Sequence, residues 1–179
     1  PMTTPAAVNP LPLAAIPISA RSAEALVATA CRLADHLEEH PDIALWQQER
    51  GMSEGERQAF LDRFTPDNQG IGFAVLGGAF GEGIDLPGAR LIGAFIATLG
   101  LPQLNPVNEQ FKQRMAGLFG AGYDYTYLFP GLQKVVQAAG RVIRTQTDRG
   151  VVMLIDDRFA DRKVQQLLPQ WWRPVQSET

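Results

Sequence analysis

Apolar residues Leu26, Ala30, Leu33 and Leu37 recur at i, i+4, i+7 and i+11, the stripe of an amphipathic helix. Ser22 suits an N-cap and Pro41-Asp42 a stop, which predicts a helix from Ser22 to about His40. Residues 43–46 read as a short strand. Ser53-Glu54-Gly55-Glu56 has the form of a capping box, and Phe60, Leu61 and Phe64 give the following helix a face to bury. Residues 72–76 (GFAVL) form an apolar strand that runs into a glycine-rich turn, 77–83. Residues 91–98 are apolar without alternation, as strands covered on both faces are. Residues 105–115 and 131–144 are predicted helices. Residues 150–155 (GVVMLI) are a further strand, followed by a polar turn and a helix to about Leu168. Strands alternating with helices predict right-handed βαβ units and a parallel sheet, an α/β fold. Ahead of them, residues 1–12 are rich in Pro and small residues, a leader or linker, and Pro17 makes 13–21 a poor central strand.

Composition narrows the class. The 179 residues are 45% hydrophobic and 20% charged, ordinary for a soluble domain. The uncharged apolar run 91–101 is too short for a bilayer, which takes roughly 20 residues. No secretory leader is visible, and a reducing, cytoplasmic setting is expected. The single cysteine, Cys31, excludes an internal disulfide, a four-cysteine zinc site and an iron–sulfur cluster held by this chain alone. Net charge is −3, yet residues 1–133 carry net −6 and residues 134–173 net +4. Thirteen of the 16 basic residues are Arg, whose planar fork suits phosphate oxygens, so the C-terminal quarter is where to look.

Two constellations stand out. In Gln137-Ala138-Ala139-Gly140-Arg141-Val142-Ile143-Arg144, a continuous helix would align Gln137, Arg141 and Arg144 on one face. Val136, Ala139 and Ile143 would pack on the sheet, with Gly140 allowing a neighbouring backbone close. Two guanidiniums on an anchored helix can stabilise charge on a transferring phosphoryl group. An isolated R-x-x-R is usually a solvated face; Q-x-x-G-R-x-x-R between two parallel strands is far more specific. The second, Gly81-Glu82-Gly83-Ile84-Asp85, follows a buried strand, which puts it at the carboxyl edge where α/β sheets bind ligands. Its glycines admit phosphate to backbone N–H groups, and Asp85 can orient an arginine, a water or a ribose hydroxyl. Alone, the same residues read as a tight loop capped by Asp85.

In this order and on these elements the two motifs resemble motifs V (Gly81–Asp85) and VI (Gln137–Arg144) of the second RecA-like motor domain of superfamily 2 helicases, in the DinG/YoaA branch of the XPD-like family. Residues 73–88 (FAVLGGAFGEGIDLPG), 100–106 (GLPQLNP), 124–130 (DYTYLFP) and 148–158 (DRGVVMLIDDR) carry the same resemblance. It implies a three-layer α/β fold: a parallel sheet flanked by helices over 13–173, with a tail from 174 to 179. It implies the motor half of an ATP-dependent 5′–3′ DNA helicase of repair or replication. Arg144 would be the main arginine finger and Arg141 its partner on the γ-phosphate. Gln137 and Gly140 would sit at the nucleotide, and Glu82, Gly83 and Asp85 would couple nucleotide to DNA. Ser22, Gly78 and Phe80 would lie on the single-stranded DNA track. The motif IV serine falls on Ser19 or Ser22.

No G-K-[ST] occurs, so the chain carries no phosphate-cradling loop of its own. The resemblance assigns ATP and Mg²⁺ mainly to a first motor domain, along with any 4Fe–4S cluster. The chain thus reads as a C-terminal piece expected to be inactive alone, partnered by that domain and by DNA. The alternative is a docking module for a replisome accessory subunit such as the clamp-loader chi subunit. Its candidate surface is Trp171-Trp172 with Arg158, Arg162 and Arg173, although core packing is expected of at least one of the tryptophans.

Three further patterns have plainer readings. Residues 151–157 (VVMLIDD) mimic a magnesium-binding strand, but no P-loop precedes them. Asp156 then makes a turn or pairs with Arg158 or Arg141. His36 and His40 are spaced as a metal pair with no third ligand to help. Cys31 belongs to the first helix's apolar stripe.

Overall fold

A computed structural model describes residues 35–80, 86–144 and 148–175. The first helix is described only at 35–39, where it runs out before Pro41; the strand at 13–21 and Cys31 lie outside the described residues.

Strand β1 (Ala44–Gln47) pairs in parallel with β2 (Gly70–Phe73), Ala44 opposite Gly70 and Gln47 opposite Phe73. The crossover is helix α1 (Glu54–Asp62). It starts where the capping box predicts: Ser53 N donates to Glu56 Oε2 at 2.7 Å, and Ser53 Oγ accepts from Glu56 N. Its Phe60 buries with Trp46 and Phe80 in a small aromatic core edged by Leu61, Phe64 and Met52. The Trp46 ring lies across β2, which Gly70 and Gly72 permit. A Cβ at Gly70 would fall 2.3 Å from the ring, and one at Gly72 2.9 Å from its Nε1.

The larger half is built on β3 (Gly93–Ile96) and β4 (Val151–Leu154), parallel, with Gly93 opposite Val151. Between them run α2 (Pro106–Phe119), a π-helical turn (Asp124–Leu128) and α3 (Phe129–Ala139). Asn105 caps α2 through its side chain to Asn108 N at 2.8 Å, and Gly120 closes it in the left-handed conformation at φ 70°. After β4 come a 3₁₀ turn (Asp157–Ala160) and α4 (Arg162–Leu167), capped by Asp161. Ile96, Leu99, Leu128, Leu132, Val135, Ala139, Phe159, Val164 and Leu168 form the main core, with Trp172 packed against it.

Among the described residues the expected single sheet is two parallel pairs. β2 leaves its ladder after Phe73 because the chain turns back on itself. Val75 N donates to Gln48 Oε1 at 3.0 Å, and Gly78 N to Val75 O at 2.9 Å. Arg90 ties the halves together: its Nε and Nη2 donate to the carbonyls of Phe64 and Leu61 at 2.7 and 3.2 Å, capping the C-terminus of α1 where a cation is favoured.

The predicted helix over 131–144 ends five residues early, at Ala139. Its buried stripe is Leu132, Val135 and Ala139, while Val136 and Ile143, expected on the sheet, are only half-buried. The last turn tightens, with Arg141 N and Val142 N each donating to the carbonyl three residues back. Val142 is thereby turned inward, 4% exposed, onto Gly150, where a Cβ would lie 2.3 Å from Val142 Cγ1. Burying Val142 at the mouth of β4 outweighs one more helical turn.

Candidate nucleotide-facing site

Because α3 returns antiparallel to β3, the end of the helix reaches the amino edge of the β3–β4 pair. Gly150, just ahead of β4, lies against both Val142 and the carbonyl of Ile92, just ahead of β3. Arg141 flanks Val142 in this turn and is half-buried; Arg144 is exposed. The two are joined directly, Arg144 Nε donating to Arg141 O at 3.2 Å. Arg144 N donates to Asp148 Oδ2 at 2.9 Å, closing the turn. The arginines therefore share a rigid post-helical turn rather than a helical face, and they stand at the helix's C-terminal end.

Gln137 and Gly140 precede this turn. Gln137 stays on α3 and lines a groove of about 460 Å³ with Phe129, Gln133, Val136, Leu167 and Pro169. Among the described residues no neighbouring backbone approaches Gly140; a Cβ there would meet the carbonyls of Val136 and Gln137, in its own last turn, at 3.2 and 3.5 Å.

The glycine turn meets α3 elsewhere. Gly77, at φ 74°, lies under the side chain of Lys134, where a Cβ would come 2.6 Å from Lys134 Cδ. Lys134 Nζ reaches Gly100 O, past the carboxyl end of β3, at 3.5 Å. Gly78 packs over the Val75 carbonyl and near Gln48. Phe80, expected on the DNA track, is 5% exposed and stacks on Phe60 at a centroid distance of 4.3 Å. Its ring is a core group, and no DNA base can reach it without unpacking that core. Ser22, Glu82, Gly83 and Asp85 lie outside the described residues.

Lys134 and Arg90 went unnoticed in the sequence. Each works through contacts to residues 26 to 57 positions away, which leave no spacing pattern. Asp156 behaves as its plainer reading expects. It forms a two-pronged ion pair with Arg158, at 2.8 and 2.5 Å, and caps the 3₁₀ turn. The Arg158 hydrogen bond holds its carboxyl below the usual range.

The helicase C-terminal domain family matches residues 18–175. The chain belongs to that family. Similar proteins include a probable ATP-dependent helicase of Methanocaldococcus jannaschii, 35% identical over 122 residues, covering 63% of this chain and 18% of that one. Human regulator of telomere elongation helicase 1 is 35% identical over 120 residues, 62% of this chain and 10% of that one. The ATP-dependent DNA helicase DinG of Photobacterium profundum is 33% identical over 88 residues, 48% and 13% respectively. This helicase C-terminal domain thus spans a tenth to a fifth of those relatives' lengths. A solved XPD helicase chain shares the fold at a TM-score of 0.57 and 20% identity, over 76% of this chain and 25% of its own, which agrees with a RecA-like α/β domain.

The His36 and His40 rings lie 4.4 Å apart between centroids, tilted by 49°, and among the described residues no cluster of three metal-ligating side chains occurs. Nor, among them, is any helix long and apolar enough to cross a membrane.

Proposed function

We propose that residues 13–173 are the C-terminal motor domain of an ATP-dependent 5′–3′ DNA helicase of repair or replication, with 1–12 a leader or linker and 174–179 a tail. The carrying observation is the turn after α3, where Arg144 is exposed and bonded to the half-buried Arg141 on a Val142 anchor. Its groups are donors suited to triphosphate oxygens. A single cysteine cannot ligate a 4Fe–4S cluster, and we assign any such cluster, with most of the ATP and magnesium contacts, to the first motor domain. Arg144 is the principal finger and Arg141 its partner. Gln137 and Gly140 line the nucleotide side, and Glu82, Gly83 and Asp85 couple it to single-stranded DNA gripped near Ser22 and Gly78. The relatives' names, ATP-dependent helicases among them, support this reading.

Arg144→Ala in the full-length parent lowers DNA-stimulated ATP turnover by roughly 10³-fold or more, the scale of an arginine finger, with nucleotide affinity kept. Unchanged turnover refutes the assignment. The chain alone hydrolyses no ATP and binds DNA weakly and in a salt-sensitive manner.

One observation favours a second role. Trp171 is 67% exposed beside Trp172, which packs on the core, so one ring anchors the segment while the other is presented. That is the shape of a docking hot spot for an accessory subunit such as clamp-loader chi. Trp171→Ala abolishes binding of purified chi if the reading holds; unchanged affinity removes that surface.

A further inference from the structure

Lys134 stands where the exits of β2 and β3 meet. The chain has three lysines; Lys112 pairs with Glu109 and Lys163 with Asp124. Lys134 is half-buried and pairs with no carboxylate among the described residues. Its stem lies along Gly77, in the turn after β2, where a Cβ would stand 2.6 Å from Lys134 Cδ and 2.9 Å from its Cε. Its Nζ reaches Gly100 O, after β3, at 3.5 Å, the far limit of a hydrogen bond. Gly100 takes φ 66°, and Gly131, one turn ahead on α3, faces Leu99 O, which a Cβ would approach to 2.5 Å. Two tight turns are thus folded around one ammonium. An ammonium has three N–H donors, and this one uses a single donor, poorly, on a carbonyl. So weak a bond does not offset the rotamer freedom that a held lysine gives up.

We propose that Lys134 contacts a phosphate of the single-stranded DNA track, its ammonium held at the carboxyl edge by the Gly77 and Gly100 turns. The inference rests on the motor-domain reading and adds to it a residue outside both motifs. Phosphate oxygens are offered by a nucleotide as well, and position selects the strand. Lys134 precedes Arg141 by seven residues, roughly 10 Å along α3 at about 1.5 Å per residue. The arginines stand at the amino edge of the β3–β4 pair, Lys134 beyond the carboxyl end of β3. A lysine ammonium is a point charge without the arginine fork, suited to a phosphodiester whatever base it carries.

Fluorescence anisotropy of a labelled oligothymidylate of about 16 nucleotides, titrated with the full 179-residue chain at roughly 50 to 200 mM salt, tests this. Log affinity falls linearly with log salt, by about 0.7 per phosphate neutralised on a single strand. Lys134→Met keeps an unbranched stem over Gly77 and removes the charge. It lowers the slope by about 0.7 and weakens binding roughly fivefold to tenfold at the lowest salt, whereas Lys134→Arg keeps both. Lys112→Met, the same charge change at a lysine already paired, leaves the slope alone. Thermal unfolding verifies that each variant is folded. Weaker binding at an unchanged slope makes Lys134 a structural strut and overturns the proposal, as does a Lys134→Met chain that binds like the wild type. Lost tripolyphosphate binding with DNA binding intact gives the ammonium to the nucleotide and overturns it too. Those outcomes leave the motor-domain reading standing; a wild-type chain that binds no DNA removes both.

Discussion

Helices α2 and α3 are chain neighbours of similar length with opposite relations to the protein. α3 buries Leu132, Val135 and Ala139, and Val135 has no exposed surface at all. α2 buries nothing and points Val107, Phe111 and Leu118 outward. Both are helical, and both carry apolar residues at helical spacing. An apolar stripe specifies that a helix has a face to hide, not which object hides it. For α3 the object is the β3–β4 pair; for α2 it is not within the described chain. Their caps differ accordingly. α2 ends autonomously at Gly120 in the left-handed conformation, whereas α3 ends where Val142 must drop into the space above Gly150.

The largest contrast follows from truncation. Leu132→Ala removes a side chain that is 4% exposed in the main core and costs about 2–5 kcal/mol, as buried leucines do. Phe111→Ala removes a larger side chain, yet in dilute solution the change stays within about 0.5–1 kcal/mol, since no cavity opens. Urea titration at low micromolar concentration measures both. Comparable losses would mean that α2 is packed on its outer face as well.

The glycines sharpen this. In α3, Gly131 abuts the β3 exit: a Cβ there would lie 2.5 Å from Leu99 O and 3.2 Å from Leu101 N, backbone atoms that cannot step aside. Gly131→Ala therefore destabilises by about 1–3 kcal/mol despite the better helix propensity of alanine. In α2, Gly117→Ala meets open space and gains about 0.5–1 kcal/mol. Thermal melts of the two variants should move in opposite directions; a shared sign would break the comparison.

The same contrast separates what was legible in the sequence from what was not. The Ser53–Glu56 capping box and the Asp156–Arg158 pair join residues two or three positions apart, so spacing alone reveals them. The strands lie in or beside the apolar runs, although each observed strand is only four residues long and β2 covers 70–73 rather than 72–76, with Phe73 and Val75 exposed rather than buried. The end of α3 was not visible, because it depends on Gly150 arriving from β4. Phe80 was misplaced for a like reason: an aromatic in a glycine turn looks available to a base until Phe60, twenty positions earlier, stacks on it. The paired arginines survive as neighbours, held by the Arg144–Arg141 carbonyl bond instead of by helical phase.

The smallest effect concerns the joint between the two helices. Tyr127, 2% exposed in the π-helical turn that leads into α3, donates from its hydroxyl to Glu109 Oε1 of α2 at 2.7 Å. That hydrogen bond, with burial and the carboxylate's charge, pushes the phenol up to about 12. Lys112 first, and Tyr127 after it, hold the Glu109 carboxyl below its ordinary value. A phenol raised in the folded state contributes stability that is complete below the unfolded value near 10 and is lost as pH rises through about 12. The Glu109 contribution has the opposite sense: it is present above the ordinary carboxylate range and fades as acid protonates the group. Unfolding midpoints should therefore decline between pH 10 and 12, and Tyr127→Phe should flatten that decline while leaving the main core of α3 intact. If the alkaline slope persists in Tyr127→Phe, another group carries it, and α2 is held to the body by its Met115 edge and the backbone turn rather than by this bond.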